Sequence, residues 1–303
     1  MSPSKPVRPQ VVNELVMQNG SHAARISTVM DRDDIAPIVR RALEEDLPDI
    51  TSEAIFTPRD RGTAAFVIKA SGILAGLDFA EETFAELDDS SEFIRHVDDG
   101  ATVRPGDVVA EVSATVIALL SGERTALNFM QRASGIAATT RRYVDAIAGT
   151  KAKIYDTRKT APGLRILDKY AVKCGGGENH RIGLHDMFLV KNNHIDRAGS
   201  IAGAIERIRS RGLGQKIMVE VRDMRELDEA LAETPDFILL DNMTPDQIRD
   251  AVARTAGRAI LEASGGITLE NVRQYAEAGV ERISIGALTH SVKALDISMR
   301  VQT

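Results

Sequence analysis

The stretch IMVEVRDMRELDEALAETPDFILLDNMTPDQIRDAVARTAGRAILEASGGITLENVRQYAEAGVERISIGALT, residues 217–289, repeats one rhythm. A short apolar run gives way to a longer segment with apolar positions at helical spacing, and the pattern then starts again. The spacing predicts strands at 217–219, 237–240, 259–261 and 282–285, with helices at 224–233, 245–254 and 269–278 between them. The same alternation extends towards the N-terminus, with strands at 153–155 and 187–190 and helices at 164–174 and 200–211. Helical crossovers between strands imply a parallel sheet. No dinucleotide-binding glycine fingerprint accompanies these units, which favours a TIM-like (β/α) barrel over an open doubly wound sheet. Six strands are readable rather than eight, so the expected barrel is incomplete.

The first half of the chain reads differently. Residues 31–46 form a capped helix with acids in its first turn. Residues 62–115 are short β segments broken by Gly and Pro around one helix at 77–87, and a long helix is predicted over 121–148. GILAG and RPGDVVAEV have the spacing of a swinging-arm carrier sandwich, but no lysine sits at a hairpin tip, so a structural sandwich is the better reading. The polar, Pro-rich residues 1–30 are expected to be a disordered extension, and residues 10–25 carry only a weak amphipathic targeting character.

Composition excludes several classes. The net charge of −6 opposes a general nucleic-acid or anionic-membrane partner. No apolar run approaches the roughly 18 residues of a membrane span. The one cysteine, Cys174, rules out an intramolecular disulfide, suits a reducing, cytoplasmic compartment and reads as a buried inert thiol. Yet residues 151–191 hold nine Lys or Arg against four acids, a +5 island that points to a small anionic ligand.

In a (β/α) barrel the active site forms at the C-terminal strand ends. There the sequence places Asp156–Lys159, Lys191, Glu220, Asp241–Asn242, Glu262–Gly266 and Gly286–Ala287. Ser264–Gly265–Gly266 and Gly286 are two glycine turns that precede helices, where bare backbone N–H groups can approach a phosphate. Two tight turns would explain either alone. Their pairing at the late strands favours a phosphate site. Glu220 and Asp241 end adjacent strands and suit Mg²⁺, which takes one or two protein carboxylates and leaves room for water and phosphates; N-capping is the plainer alternative for Asp241. Arg158, Lys159, His180, Arg181 and Lys191 form a mixed cluster suited to several anionic groups. Arg165, Lys169 and Lys173 lie at helical spacing and are expected on an outer surface. His185 and His194 lack a third ligand and read as hydrogen-bonded structural residues.

At this point the motifs GERTALNFMQRASGIA (122–137), DTRKTAPGLR (156–165), KYAVKCGGGENHRIGLHDMFLVKNNH (169–194), LLDNM (239–243), EASGGIT (262–268) and ISIGALTHS (283–291) resemble the quinolinate phosphoribosyltransferase family. The likeness runs from about residue 32 to 300. It implies an N-terminal α/β sandwich, residues 31–135 completed by a C-terminal helix in 289–303, and an incomplete α/β barrel over 136–288. It further implies Mg²⁺-dependent conversion of quinolinate and 5-phosphoribosyl-1-pyrophosphate to nicotinate mononucleotide, pyrophosphate and CO₂, a step of NAD biosynthesis.

Carried over by position, Arg158, His180 and Arg181, helped by Lys159, hold the carboxylates of quinolinate. Lys159 and Lys191 face the phosphoribosyl substrate, Glu220 and Asp241 its metal and ribose side, and Ser264, Gly265, Gly266 and Gly286 its 5-phosphate. Arg124 reaches into a neighbouring subunit's site in a homodimer or higher oligomer. The chain departs from the family where Met218–Val219–Glu220 replaces Glu-Val-Glu, where Asn192 replaces an aspartate, and where EDLPDIT (45–51) is shorter. Two rival readings are a related transferase with another acid acceptor such as nicotinate, including the family's molybdenum-operon relatives, and a non-catalytic metabolite-binding or carrier protein. The Arg158/Arg181 pair with His180 favours a dicarboxylate, and Lys191, Glu220 and Asp241 argue for catalysis.

Overall fold

The structure is a computed structural model that describes residues 30–302. The expectations for residues 1–29 lie outside the described residues. In the first half, α1 (Arg32–Leu43), α2 (Ile50–Ile55), β1 (Arg61–Ile68), β2 (Gly72–Ile73), α3 (Leu77–Leu87), β3 (Glu92–Arg95), β4 (Thr102–Val103), β5 (Val108–Thr115) and α4 (Val116–Ala146) follow one another. The second half runs β6 (Lys153–Tyr155), α5 (Arg165–Cys174), β7 (Phe188–Val190), α6 (Asn192–Ala198), α7 (Ile201–Arg209), β8 (Ile217–Val221), α8 (Met224–Ala232), β9 (Phe237–Asp241), α9 (Pro245–Thr255), β10 (Ile260–Ser264), α10 (Val272–Glu277), β11 (Arg282–Ser284), α11 (Ala287–His290) and β12 (Ile297–Gln302).

The first half is an antiparallel sheet in the order β12-β1-β5-β3, with β2 and β4 paired beside it. Its core gathers Phe66, Leu77, Phe84, Leu119 and Met130 under α3 and α4. Phe66 and Phe84 meet edge to face at 6.2 Å, and each fully buried Phe contributes about 1.5–3 kcal/mol. Helix α4 begins five residues before its expected start. The Thr115 hydroxyl caps the Ala118 N–H, and Val116 and Ile117, which lay between the expected β segments and the expected helix, belong to the first turn.

The C-terminal segment corrects an expectation drawn from the resemblance. Residues 297–302 are a strand, not a helix, and pair antiparallel with β1 from Thr63↔Gln302 to Ile68↔Ile297. Ile297 and Met299 are buried while Ser298 is partly exposed and Arg300 is exposed, which is the period of two that a sheet edge requires.

The second half is a parallel sheet in the order β6-β11-β10-β9-β8-β7. β6 and β7 are its unpaired edges, so the barrel is incomplete as the six readable strands implied. Met218, Phe237 and Leu239 fill one side of its interior with Leu189. The other side is polar. Arg282 stacks on Tyr155 at 3.9 Å and on Phe237 at 4.8 Å from the ring centroids. Strand β10 extends to Ser264, so Glu262 lies inside the strand rather than in the loop after it.

Candidate active site

At the C-terminal ends of the barrel strands, a cavity of about 710 Å³ gathers Arg158, Lys159, His180, Arg181, Lys191, Glu220, Asp241, Ser264, Gly265, Gly266 and Gly286. Every sequence-predicted site residue except Arg124 is therefore in one place.

The cationic side is built on buried carboxylates. Asp156, at the exit of β6, is fully buried and accepts from Lys169 Nζ at 2.5 Å, Asn179 Nδ2 at 2.6 Å and the His180 N–H at 2.8 Å. Burial pushes the Asp156 carboxyl up and the Lys169 ammonium down, and the charge of each opposes that shift in the other. Lys169 is thus 4% exposed, and its expected place on an outer helix face is wrong: helical periodicity cannot distinguish a lysine facing solvent from one facing a buried acid. The chain reaches Asn179 and His180 through Gly175–Gly177. A Cβ on Gly175 would lie 2.5 Å from the Ala137 carbonyl and from Thr140, so only glycine allows this approach to α4.

A second buried carboxylate, Asp168, holds the loop after β6. It accepts Arg132 Nε and Nη2, both at 2.8 Å, and the Ala161 N–H at 3.0 Å. Arg132 also donates to the Thr289 carbonyl, while Thr289 Oγ1 donates to the Lys159 carbonyl at 2.9 Å. Helix α4, α5 and the 286–290 turn together fix where Arg158 and Lys159 stand. Arg158 and Arg181 have no acid within ion-pair distance among the described residues, and Arg158 Nε is buried without a partner. Burial, followed by the positive charge of Arg158, holds the Arg181 guanidinium below its ordinary value. Two adjacent guanidiniums without a carboxylate make an anion site.

Glu220 and Asp241 lie on the same interior face. Glu220 pairs in register with Leu239, and Asp241 is one pleat further along β9, about 6–7 Å on. The N-cap alternative for Asp241 fails, because Thr244 caps α9 and accepts the Gln247 N–H. Lys191 Nζ is 3.4 Å from Glu220 Oε2. No cluster of three or more His, Cys, Asp or Glu suited to a metal occurs among the described residues. Two oxygen donors with the rest of a coordination sphere open fit Mg²⁺ rather than a metal held wholly by protein.

The Ser264–Gly265–Gly266 turn is present, but no helix follows it directly. Gly265 and Gly266 have φ of +96° and +62°, and a Cβ on Gly265 would sit 2.1 Å from Asn242 Oδ1. Helix α10 begins only at Val272, so a phosphate here would meet loop N–H groups rather than a helix terminus. Sequence reasoning placed Asn242 at a strand end without giving it a role and did not single out Thr268, Ser284 or His290, which also line the cavity. The motif ISIGALTHS contains the last of these, but no spacing distinguishes His290 from Thr289.

Arg124 lies elsewhere, in a depression of about 290 Å³ with Asp46–Ile50, Leu120 and Ser121. Ile50 is 75% exposed there, and Leu47 and Leu120 are exposed beside it. His194 Nδ1 accepts the Lys191 N–H at 2.9 Å and His185 faces Asp186 at 2.9 Å, so both are structural contacts as read. Cys174 is buried outside the cavity, and burial pushes its thiol up.

Residues 136–300 match the family described as quinolinate phosphoribosyl transferase, C-terminal domain, and residues 49–134 match its N-terminal domain. The chain is 46% identical over 254 residues to the probable nicotinate-nucleotide pyrophosphorylase [carboxylating] of Bacillus subtilis, covering 84% of this chain and 88% of that protein. It is 45% identical over 271 residues to the Mycobacterium leprae nicotinate-nucleotide pyrophosphorylase [carboxylating], covering 86% and 95%. The crystal structure of NadC from Streptococcus pyogenes superposes with a TM-score of 0.87 at 38% identity, covering 91% of this chain and 99% of that one.

Proposed function

Because the chain belongs to the quinolinate phosphoribosyltransferase family, we propose that its barrel mouth transfers the phosphoribosyl group of 5-phosphoribosyl-1-pyrophosphate to quinolinate, with loss of CO₂ to give nicotinate mononucleotide. The observation that carries this reading is the pair Arg158 and Arg181, two guanidiniums in one cavity with no acid within ion-pair distance among the described residues.

The pyridine nitrogen of quinolinate is itself the nucleophile, so no activated side chain is needed, in keeping with the burial of Cys174 away from the cavity. Arg158 and Arg181 clamp the two carboxylates and aim the nitrogen at the anomeric carbon. Lys159 and Lys191 face the phosphates of the second substrate, and Ser264, Gly265, Gly266 and Gly286 receive its 5-phosphate. As the nitrogen–carbon bond forms, the anomeric carbon–oxygen bond breaks through an oxocarbenium-like state and pyrophosphate departs. Glu220 and Asp241 would hold Mg²⁺, which when bound neutralises that leaving group. Lys191 then exchanges Glu220 for a phosphate. The ring nitrogen is now cationic, so its charge stabilises the electron pair left on the neighbouring carbon as CO₂ departs, and that carbon takes up a proton.

The second subunit enters through Arg124. Its exposed basic side chain among Leu47, Ile50 and Leu120 suits an interface in which Arg124 completes the partner's cavity. No helix among the described residues is long and apolar enough to cross a membrane, and a free buried cysteine suits the cytoplasm. The purified protein with Mg²⁺ and phosphoribosyl pyrophosphate is expected to consume quinolinate and leave nicotinate untouched. Turnover of nicotinate without turnover of quinolinate would replace this reading with that of a transferase for a monocarboxylate.

A further inference from the structure

Strand β6 carries the acid-binding loop on thin support. It pairs over three residues with β11, and on its other side Glu178 alone bridges it, at Tyr155. Arg158 and Lys159 follow on this loop, whereas Gly286, Ala287 and His290 follow β11, and all five line the cavity. A ring of hydrogen bonds behind the cavity wall joins the two. The Ala161 N–H donates to Asp168 at 3.0 Å, Asp168 accepts from Arg132, Arg132 Nη2 donates to the Thr289 carbonyl at 3.2 Å, and Thr289 Oγ1 returns to the Lys159 carbonyl at 2.9 Å. None of Ala161, Asp168, Arg132 and Thr289 lines the cavity itself.

Thr289 is the link in this ring that a substitution opens without removing a charge. It is 1% exposed, so its hydroxyl cannot turn to water instead. The Lys159 carbonyl is the nearer of its two acceptors, since the Gly286 carbonyl is 3.4 Å away. A second contact acts in the same sense: the Lys159 stem lies over Gly286, where a Cβ would come 2.9 Å from Lys159 Cδ. The loop is therefore tied to the turn through both backbone and side chain. A ligand that fixes the turn has then already ordered the loop for the next ligand, and the second binding step loses less conformational freedom.

We propose that Thr289 is a positioning residue that couples the two substrates: its hydroxyl holds the acid-binding loop to the phosphate turn, so that each substrate orders the element that receives the other. Arg132 and Asp168 close the ring from α4 and α5. The coupling is reciprocal, because the affinity for the acid changes by the same factor as the affinity for the phosphoribosyl substrate. This rests on the reading in which Arg158 and Lys159 meet the acid and Gly286 the 5-phosphate.

Two measurements test it. In titration calorimetry, phthalate keeps the two carboxylates of quinolinate but has no ring nitrogen to react, so it occupies the acid side while phosphoribosyl pyrophosphate with Mg²⁺ is titrated. The Kd without phthalate divided by the Kd with it is the coupling factor. Thr289→Val should lower that factor about fivefold, and Thr289→Ser, which keeps the hydroxyl, should hold it within about twofold of wild type. Equal factors in wild type and Thr289→Val, or a loss in Thr289→Ser as large as in Thr289→Val, overturn the coupling role. In amide hydrogen exchange, ribose 5-phosphate, which reaches the turn without a pyrophosphate, should slow exchange at the Ala161 amide of the wild-type protein. Unchanged exchange overturns the proposal, and this arm decides should Thr289→Val fail to fold. The two readings fail separately: if neither phthalate nor phosphoribosyl pyrophosphate binds, the substrate reading falls and this one with it, whereas binding of both with an unchanged factor in Thr289→Val sinks this one alone.

Discussion

Arg181 carries the acid-binding side of the site, and its loss has a definite direction. Its guanidinium stands beside Arg158 with no acid within ion-pair distance among the described residues, so a substrate carboxylate gains charge-assisted hydrogen bonds for which no protein acid competes there. Such bonds contribute about 1.5–3 kcal/mol. Arg181→Ala should therefore raise the KM for quinolinate by about one to two orders of magnitude and leave that for phosphoribosyl pyrophosphate within a few-fold, as steady-state kinetics will show. At this scale the site was largely readable: charged residues after successive strands converge wherever the strands are parallel, so Arg158, Lys191, Glu220 and Asp241 had to meet. The supports were not. Asp168 and Lys169 look like any surface residues in sequence, Asp156 was read only as a strand-end charge, and only the fold reveals that each is buried against a partner distant along the chain.

Helix α4 joins the two halves, and Gly135 near its middle shows why. A Cβ there would come 2.3 Å from the Lys293 carbonyl and 3.0 Å from Ala294 Cα, both backbone atoms on the path to β12. Gln131 holds the same path, accepting from Leu295 N–H through its carbonyl and donating from its side chain to the Ile297 carbonyl at 2.7 Å. Helix propensity alone would favour alanine by about 1 kcal/mol. Overpacking against a backbone that is pinned on both sides costs about 1–3 kcal/mol, and wins. Gly135→Ala is expected to lower stability in urea melts; an equal or higher midpoint would show that the 293–295 segment yields. The elements themselves were readable where hydrophobic period and cap agree, as in α1 with its Asp31 cap, and where apolar runs alternate with helices, as in the six barrel strands. They were misread where β-branched residues open a helix, at Val116, and where a short terminal segment takes its structure from a partner strand rather than from its own propensity, at 297–302.

For the whole molecule, the one displaced site residue is the informative one. Arg124 is in a separate depression from the cavity that contains the rest, and the proposed dimer is what would bring it to that chemistry. Mixing Arg124→Ala with Arg158→Ala protein, each inactive alone, should restore activity in hybrids that contain one intact cavity; no recovery would assign Arg124 to its own chain or to no role. The +5 island of an acidic chain is partly the wall of a cavity and partly, at Lys169, an internal strut. The most direct test of the central claim uses quinolinate labelled with carbon-14 in the carboxylate next to the ring nitrogen. With Mg²⁺ and purified protein, labelled CO₂ should appear in equal amount to pyrophosphate and only when phosphoribosyl pyrophosphate is present. Pyrophosphate release that leaves the label on the ring would contradict a decarboxylating phosphoribosyltransferase.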